Sequence, residues 1–334
     1  MSSTDAPKAD QKTSPKTSRA VLWTATAIFT AVILLVCVVI VEFGLRMVGL
    51  GDPMVYEHNP AYGYAPRPNQ QKERLRGSMI TVNESGLRSR ESWTAAEGQT
   101  RVLFLGDSVT WGGTYIDDSQ TFSALVCDGL GEGFTCGNGG VNAYGVLNMV
   151  LRSRYDSRLE GADVVVFNVI RGDFLRGIQN SGVAHYFLHE PNGPVPAIAE
   201  ALSYVAGKYN INHMLSKRQD PPSDEALFRA SQLGAIAFAA EALNTEVARL
   251  EAMGKKVFVF YSPDVREAKG EESDPVQLAL REAILASVPG IHDMTAAFKP
   301  GAGENYYDIV HYEVPGHRVA AGTMLPFIRE ALAK

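Results

Sequence analysis

The chain is poor in cysteine: 3 in 334 residues. That is too few for a disulfide framework standing in for a hydrophobic core. No CxxC pair and no Cys/His spacing of a structural zinc site occurs. The HExxH, G-x-x-x-x-G-K-[ST] and G-x-G-x-x-G patterns are also missing, despite 31 glycines, and so is the G-x-S-x-G elbow that would point to an α/β-hydrolase. Nothing therefore calls for a metal, a nucleotide or any other cofactor. Positive charge is scarce, with 31 Lys and Arg against 37 Asp and Glu, a net charge of −6. A nucleic-acid partner is disfavoured, because phosphate binding leans on clustered basic side chains. No repeat of 20–50 residues is visible. What remains is ordinary for a folded protein, at 46% hydrophobic and 20% charged residues, and the length suits one large domain or two small ones.

One long hydrophobic run stands out. Residues 20–41, AVLWTATAIFTAVILLVCVVIV, contain no charge over 22 positions. As a helix this is about 33 Å, enough for a bilayer core of about 30 Å. Lys8, Lys12, Lys16 and Arg19 precede it against Asp5 and Asp10. The positive-inside rule then leaves residues 1–19 as a cytoplasmic tail and sends the rest across the cell (inner) membrane, into the periplasm or outside. A cleaved signal peptide competes, but its apolar core is usually about 7–15 residues and a small-residue cleavage site should follow. A retained single-pass anchor is the favoured reading. Cys37 lies within it and reads as ordinary membrane burial. For an exported body, Cys127 and Cys136 are either a disulfide or two reduced buried thiols.

Residues 42–98 read as an extended connector, rich in Pro, Gly, Asn and Tyr, with a short hairpin in SMITVNESGLRSRE turning at Asn83–Gly86. From residue 99 to 334 the pattern alternates between β and α. RVLFLG, GFTCGNGG, ADVVVFNVI and KKVFVFYS are strands, with IHDM as a short edge strand. Residues 119–130, 145–154, 223–253, 275–287 and 316–333 are helical. The expected fold is α/β, a parallel five-stranded sheet with helices on both faces, in which sites form at the carboxyl ends of strands. Residues 174–222 break the rhythm and hold His185, His189 and His213. An insertion this long reads as a lid or substrate wall.

Two loops carry chemistry. Gly106-Asp107-Ser108-Val109 directly follows the first buried strand, so the serine would start the next segment with its hydroxyl exposed. Asp308-Ile309-Val310-His311 lies near the C-terminus, followed by Gly316-His317. A serine hydroxyl needs a base, and His311 could take its proton while Asp308 held the other ring nitrogen. Alone, the first pattern is a common helix cap and the second an Asp/His pair capping the last helix. His317 reads as structural rather than as a second base. Trp111 and Tyr115 are either core or the lining of an acyl or sugar pocket.

In combination, these blocks over residues 101–334 resemble the SGNH (GDSL-type) serine hydrolases. GDSV matches the first block, NGGVNAYG from Asn138 to Gly145 looks like the second, and DIVH followed by GH matches the last. The anchor, VNESGLRS and GDSVTWG together are similar to a membrane-anchored bacterial branch of that superfamily. The resemblance implies a flavodoxin-like three-layer sandwich. It also implies a triad of Ser108, His311 and Asp308, and an oxyanion hole of the Ser108 and Gly140 amides. The third block departs: where G-x-N-D is expected, the chain reads Ile170-Arg171-Gly172-Asp173, so Gly172 replaces the asparagine donor. Losing one such donor costs a serine hydrolase on the order of 10²–10³ in kcat. Three ways out exist: two backbone donors suffice, Arg171 or a group from 174–222 reaches in, or the site only binds. Asn168, inside its strand, is a poor substitute. The leading expectation is a serine esterase acting on an acylated envelope glycan or lipid. The alternatives are an O-acyltransferase with the same triad and a degenerate binding or assembly module.

Overall fold

The computed structural model describes residues 19–94, 98–179, 194–208 and 225–333. Most of the N-terminal tail, and within the expected insertion residues 180–193 and 209–224 with His185, His189 and His213, lie outside the described residues.

The chain begins with helix α1 (Arg19–Met47), which continues past the uncharged run. Its apolar side chains face outward along its length, and Val21–Met47 is long and apolar enough to cross a membrane. The charged last turns do something different. Both carboxylate oxygens of Glu42 accept the N–H groups of Ala197 and Ile198, and Arg46 donates to Val195 O. These groups open helix α6 (Ala197–Lys208), whose first N–H groups have no intrahelical acceptor and are satisfied here by a carboxylate. The end of α1 is thus tied to a described part of the 174–222 region.

Two antiparallel hairpins follow, β1 (Tyr56–Asn59) with β2 (Gly63–Pro66), and β3 (Gln70–Glu73) with β4 (Met79–Val82). The turn at Asn83–Gly86 forms as expected. Asn83 Oδ1 accepts from the N–H groups of Ser85 and Leu87, and Gly86 has φ +72°. The segment after that turn is not a second strand paired along β4. Arg88 makes one bridge to Val82 and one to Asn138. The hairpin partner of β4 is β3, whose sequence, QQKE, carries no apolar alternation to signal a strand.

The body is the parallel sheet. Strands β5 (Thr100–Gly106), β6 (Phe134–Gly140), β7 (Val164–Val169), β8 (Lys256–Tyr261) and β9 (His292–Asp293) lie in the order β6-β5-β7-β8-β9, all parallel. Counted from β5 this is 2-1-3-4-5, the flavodoxin-like order, whose switch point lies between β5 and β7. Side-chain alternation builds three layers. Leu103, Leu105, Val165, Phe167, Val169, Val259 and Tyr261 pack on one face with Ile236, Leu243 and Ile284. Val102, Phe104, Val164, Val166 and Phe260 pack on the other with Phe122, Met324 and Ile328. The helices that supply these faces are α3 (Phe122–Leu130), α7 (Glu225–Ala252), α9 (Pro275–Ser287) and α11 (Val314–Leu332). Cys127 at the end of α3 and Cys136 in β6 form a disulfide, Cα–Cα 5.7 Å.

A buried cation locks the first hairpin region to the sheet. Arg88 is fully buried, pairs with Asp118 at 2.9 Å, and donates to the carbonyls of Trp111 (2.6 Å), Gly113 (2.8 Å) and Ile116. Its backbone N–H also donates to Asn138 O at 2.8 Å. Truncating it takes the buried cation away from Asp118, which keeps the Thr81 N–H, and leaves three carbonyls without this donor. Arg88→Ala is expected to lower stability by about 3–5 kcal/mol, measured as the shift in urea midpoint. A loss under about 1 kcal/mol would show that water satisfies these groups equally well.

Candidate active site

Ser108 stands at the carboxyl end of β5. Gly106 permits the turn, since a Cβ there would fall 1.9 Å from Thr110 Oγ1 and 2.7 Å from Asn168 O. Asp107 then caps the short helix α2 (Ser108–Trp111), its Oδ1 accepting the Val109 N–H at 2.9 Å. Ser108 is the first residue of α2, where its own N–H is left without an intrahelical acceptor.

The loop bearing Asp308 and His311 is folded on itself. Asp308 Oδ1 accepts the N–H groups of Val310 (3.0 Å) and His311 (2.9 Å), while Tyr307 N–H donates to His311 O at 2.8 Å. It is pinned beside the exit of β8, with Val265 N–H on Ile309 O and the Tyr306 hydroxyl on Pro263 O. Gly316 is required here, because a Cβ would meet Asn305 O at 2.2 Å. The fold thus brings together two loops 203 residues apart: His311 Nε2 is 2.8 Å from Ser108 Oγ, and His311 Nδ1 is 2.7 Å from Asp308 Oδ2.

The electrostatics suit proton transfer. Burial raises the Asp308 carboxyl, but the hydrogen bond and charge of His311 and two backbone N–H groups outweigh it, bringing the value down to about 2. Burial likewise works against a charged His311, but the hydrogen bond and charge of Asp308 hold the ring above its ordinary 6.5. His317 is the contrary case. It is fully buried and accepts the Phe122 N–H through Nδ1 at 3.1 Å; burial, helped by the charge of Arg88, pushes it down to about 3. It is a neutral core histidine, as the sequence reading held.

The structure departs from the expectation at Gly140. That residue ends β6, pairs with Gly106, and its N–H donates to Asn138 Oδ1 at 2.9 Å. With its donor occupied inside the sheet, Gly140 is a poor oxyanion donor. Ala143, three residues on, lies in the loop after β6, which Val141 N–H ties to Gly106 O at 3.1 Å. Ala143 has φ +63°, a conformation that costs a non-glycine residue energy and collects at functional loops. Its N–H, like that of Ser108, makes no hydrogen bond among the described residues. The sequence signal for this position was absent, because an alanine does not announce a left-handed conformation.

Arg171 is also removed from consideration. It pairs with Asp264 and Glu267, each at 2.7 Å. Asn168 is buried, donating to Thr110 Oγ1 and accepting from Ser262 Oγ. Trp111 is core, whereas Tyr115 stacks on Tyr307 with Arg76 over both rings, next to the Asp308 loop. The cluster that sequence reasoning missed is Arg176 with Asp107 and Asp173. Arg176 Nη1 donates to Asp173 Oδ1 (2.8 Å), Tyr144 O (2.9 Å) and Asp107 Oδ2 (3.3 Å). No group of three or more His, Cys, Asp or Glu among the described residues is arranged to hold a metal ion.

No protein-family model matches the chain, and no curated protein matches it. Among solved structures it is similar to the lipase/acylhydrolase from Enterococcus faecalis, at 15% identity and TM-score 0.43, over 70% of this chain and 97% of that one. It is also similar to Axe2, an acetylxylan esterase from Geobacillus stearothermophilus, at 17% identity and TM-score 0.41, over 69% and 94% of the two chains. A third is LAE5, an alpha/beta hydrolase enzyme from the metagenome of Lake Arreo, at 14% identity and TM-score 0.41, over 68% and 94%. These likenesses concern fold only, and no residue role is carried over from them.

A base held above its ordinary value by Asp308 fixes the sign of the pH dependence. His311 must be neutral to accept a proton, so kcat/KM on an activated ester is expected to rise with pH through a midpoint above 6.5 and to be lost as pH falls below it. In Asp308→Asn the raising partner is gone and burial remains, so an NMR titration of the His311 ring should show its midpoint below the wild-type value. An unchanged or higher midpoint would mean that Asp308 does not govern the ring.

Proposed function

We propose that the chain is a membrane-tethered serine esterase that cleaves acyl esters. The observation that carries this reading is the relay of Ser108, His311 and Asp308, with contacts of 2.8 and 2.7 Å. Ser108 Oγ attacks the ester carbonyl carbon. Its proton passes to His311 Nε2, and the carbonyl electron pair moves onto oxygen. Asp308 holds the Nδ1–H and stabilises the imidazolium. The tetrahedral intermediate collapses, the C–O bond to the alcohol breaks, and His311 returns the proton to the leaving alkoxide. Water, deprotonated by His311, then attacks the acyl-serine carbonyl, and collapse gives the carboxylic acid and restores the serine. The Ser108 and Ala143 amides are the backbone groups assigned to the oxyanion. The steps need no cofactor.

The apolar run at residues 20–41 supports a single span with a cytoplasmic N-terminus, and a tethered site is suited to a substrate of the envelope, an acylated glycan or lipid. Acetyl and other short acyl groups are the expected donors.

Purified full chain in detergent is expected to hydrolyse p-nitrophenyl acetate and to be labelled by a fluorophosphonate at Ser108. Ser108→Ala should lose on the order of 10⁴ or more in kcat, together with the label. Equal turnover by both proteins would sink the esterase reading. Separately, the chain should remain with membranes through an alkaline carbonate wash and leave only with detergent. Release by carbonate would contradict a spanning helix.

A further inference from the structure

Gly172 lies in helix α5 (Arg171–Leu175), just past the end of β7, on the β5/β7 side of the sheet where Ser108 sits. Nothing in its surroundings requires glycine. Its φ is not in the left-handed region, and a Cβ built there has no neighbour closer than 3.4 Å. That nearest atom is Nη2 of Arg176, followed by Ile170 Cδ1 at 3.7 Å. The space a side chain from 172 would enter is bordered by a guanidinium.

The guanidinium is held asymmetrically. Nη1 takes three acceptors, from Asp173, Tyr144 and Asp107. Nη2 has no acceptor among the described residues, and the side chain is one-third exposed, so it reaches the surface of the site. Asp107 is the residue before Ser108, so the same cation is tethered to the nucleophile's own turn.

We propose that the Nη2 edge of Arg176 is the third donor to the oxyanion that forms on the ester carbonyl, in place of a side-chain amide from position 172. This rests on the esterase reading above. A cationic donor makes shorter and roughly twice stronger hydrogen bonds to an anion than a neutral amide does, and here it is preorganised by buried acceptors before charge develops. The surrounding charges leave it available. Asp107 and Asp173 are both fully buried, and burial together with the neighbouring Asp107 carboxylate drives Asp173 well above its ordinary value. The two carboxyls therefore resist carrying two full negative charges against the one cation. The positive charge of Arg176 is also felt at His311, where it opposes protonation of the ring.

The test uses full chain in detergent, with p-nitrophenyl acetate and a fluorophosphonate as probes. Arg176→Lys keeps a charge for the two carboxylates, but its single nitrogen is committed to them. It should melt near wild type and lose on the order of 10²–10³ in kcat, with KM within about threefold. Fluorophosphonate inactivation, which passes through a similar oxyanion, should slow by a like factor. Arg176→Ala should lose at least as much, and adding Gly172→Asn to it should restore about tenfold by supplying a neutral donor in the vacated space. Turnover in Arg176→Lys within about twofold of wild type would overturn the proposal. So would a loss in Arg176→Ala that Gly172→Asn leaves untouched. In both cases a wild-type chain that still hydrolyses the ester and is labelled at Ser108 leaves the esterase reading standing. A wild-type chain that does neither removes that reading, and this inference with it.

Discussion

The guanidinium of Arg88 is fully buried, and the Ser108 side of the site is arranged around satisfying it. An arginine cannot shed its proton at any relevant pH, so burial must be matched by acceptors. Asp118 and the carbonyls of Trp111, Gly113 and Ile116 provide them. Those carbonyls belong to the segment leaving Ser108, so a residue of the hairpin region sets where that segment runs. The backbone of the same residue bridges β4 and β6, which extends the protection of the sheet edge. A segment that reads as a plain covering hairpin is in fact a brace for the loop that carries the hydroxyl.

Two charge clusters meet at the end of β5. On one side Asp308 is an easily ionised carboxyl that raises the basicity of His311. On the other, Arg176 is clamped between Asp107 and Asp173, with its Nη2 edge unpaired among the described residues. Opposite signs of perturbation on two acids, a lowered Asp308 and a raised Asp173, separate the acid that orients the base from the acid that holds the cation. The first cluster is local, with Asp308 and His311 three residues apart, whereas the second is assembled by the fold, since Arg176 reaches Tyr144 and Asp107 across 32 and 69 residues.

The end of the N-terminal apolar helix puts its residues to double use in the same way. Glu42 and Arg46 close the last turns of the apolar helix, and they also satisfy the first turn of α6. Glu200 in α6 pairs with the buried Arg74 and accepts the Gly51 N–H. The apolar helix is therefore tied by hydrogen bonds to α6, in the described part of the region that follows Arg176.

Much of this was legible in the sequence. Strand identity came from continuous apolar runs such as VVVFNV, because a central parallel strand is buried on both faces and shows it directly. The long apolar helix was legible for a related reason, since residues 20–41 carry no charge. Asp308 and His311 were legible as a pair because they lie three residues apart on one turn, whereas their contact with Ser108, 203 residues away, appears only in the fold. Other features were not. QQKE has no strand pattern, so β3 emerges only from pairing with β4. Ala143 gives no sign of its positive φ, and Gly140 reads as a donor because it is a glycine in the right block, although Asn138 Oδ1 takes its amide. Arg171 and Arg176 look equivalent in a list of residues; the fold decides that one pairs with Asp264 and Glu267 while the other reaches toward the nucleophile's turn. Periodicity and local spacing, being properties of neighbours along the chain, were enough for the strands of the parallel sheet and for the kinds of functional group present, but not for β3. Which backbone donors stay free, and which arginine reaches the site, was decided by tertiary structure alone, because hydrogen-bond satisfaction is settled between residues that meet only after folding.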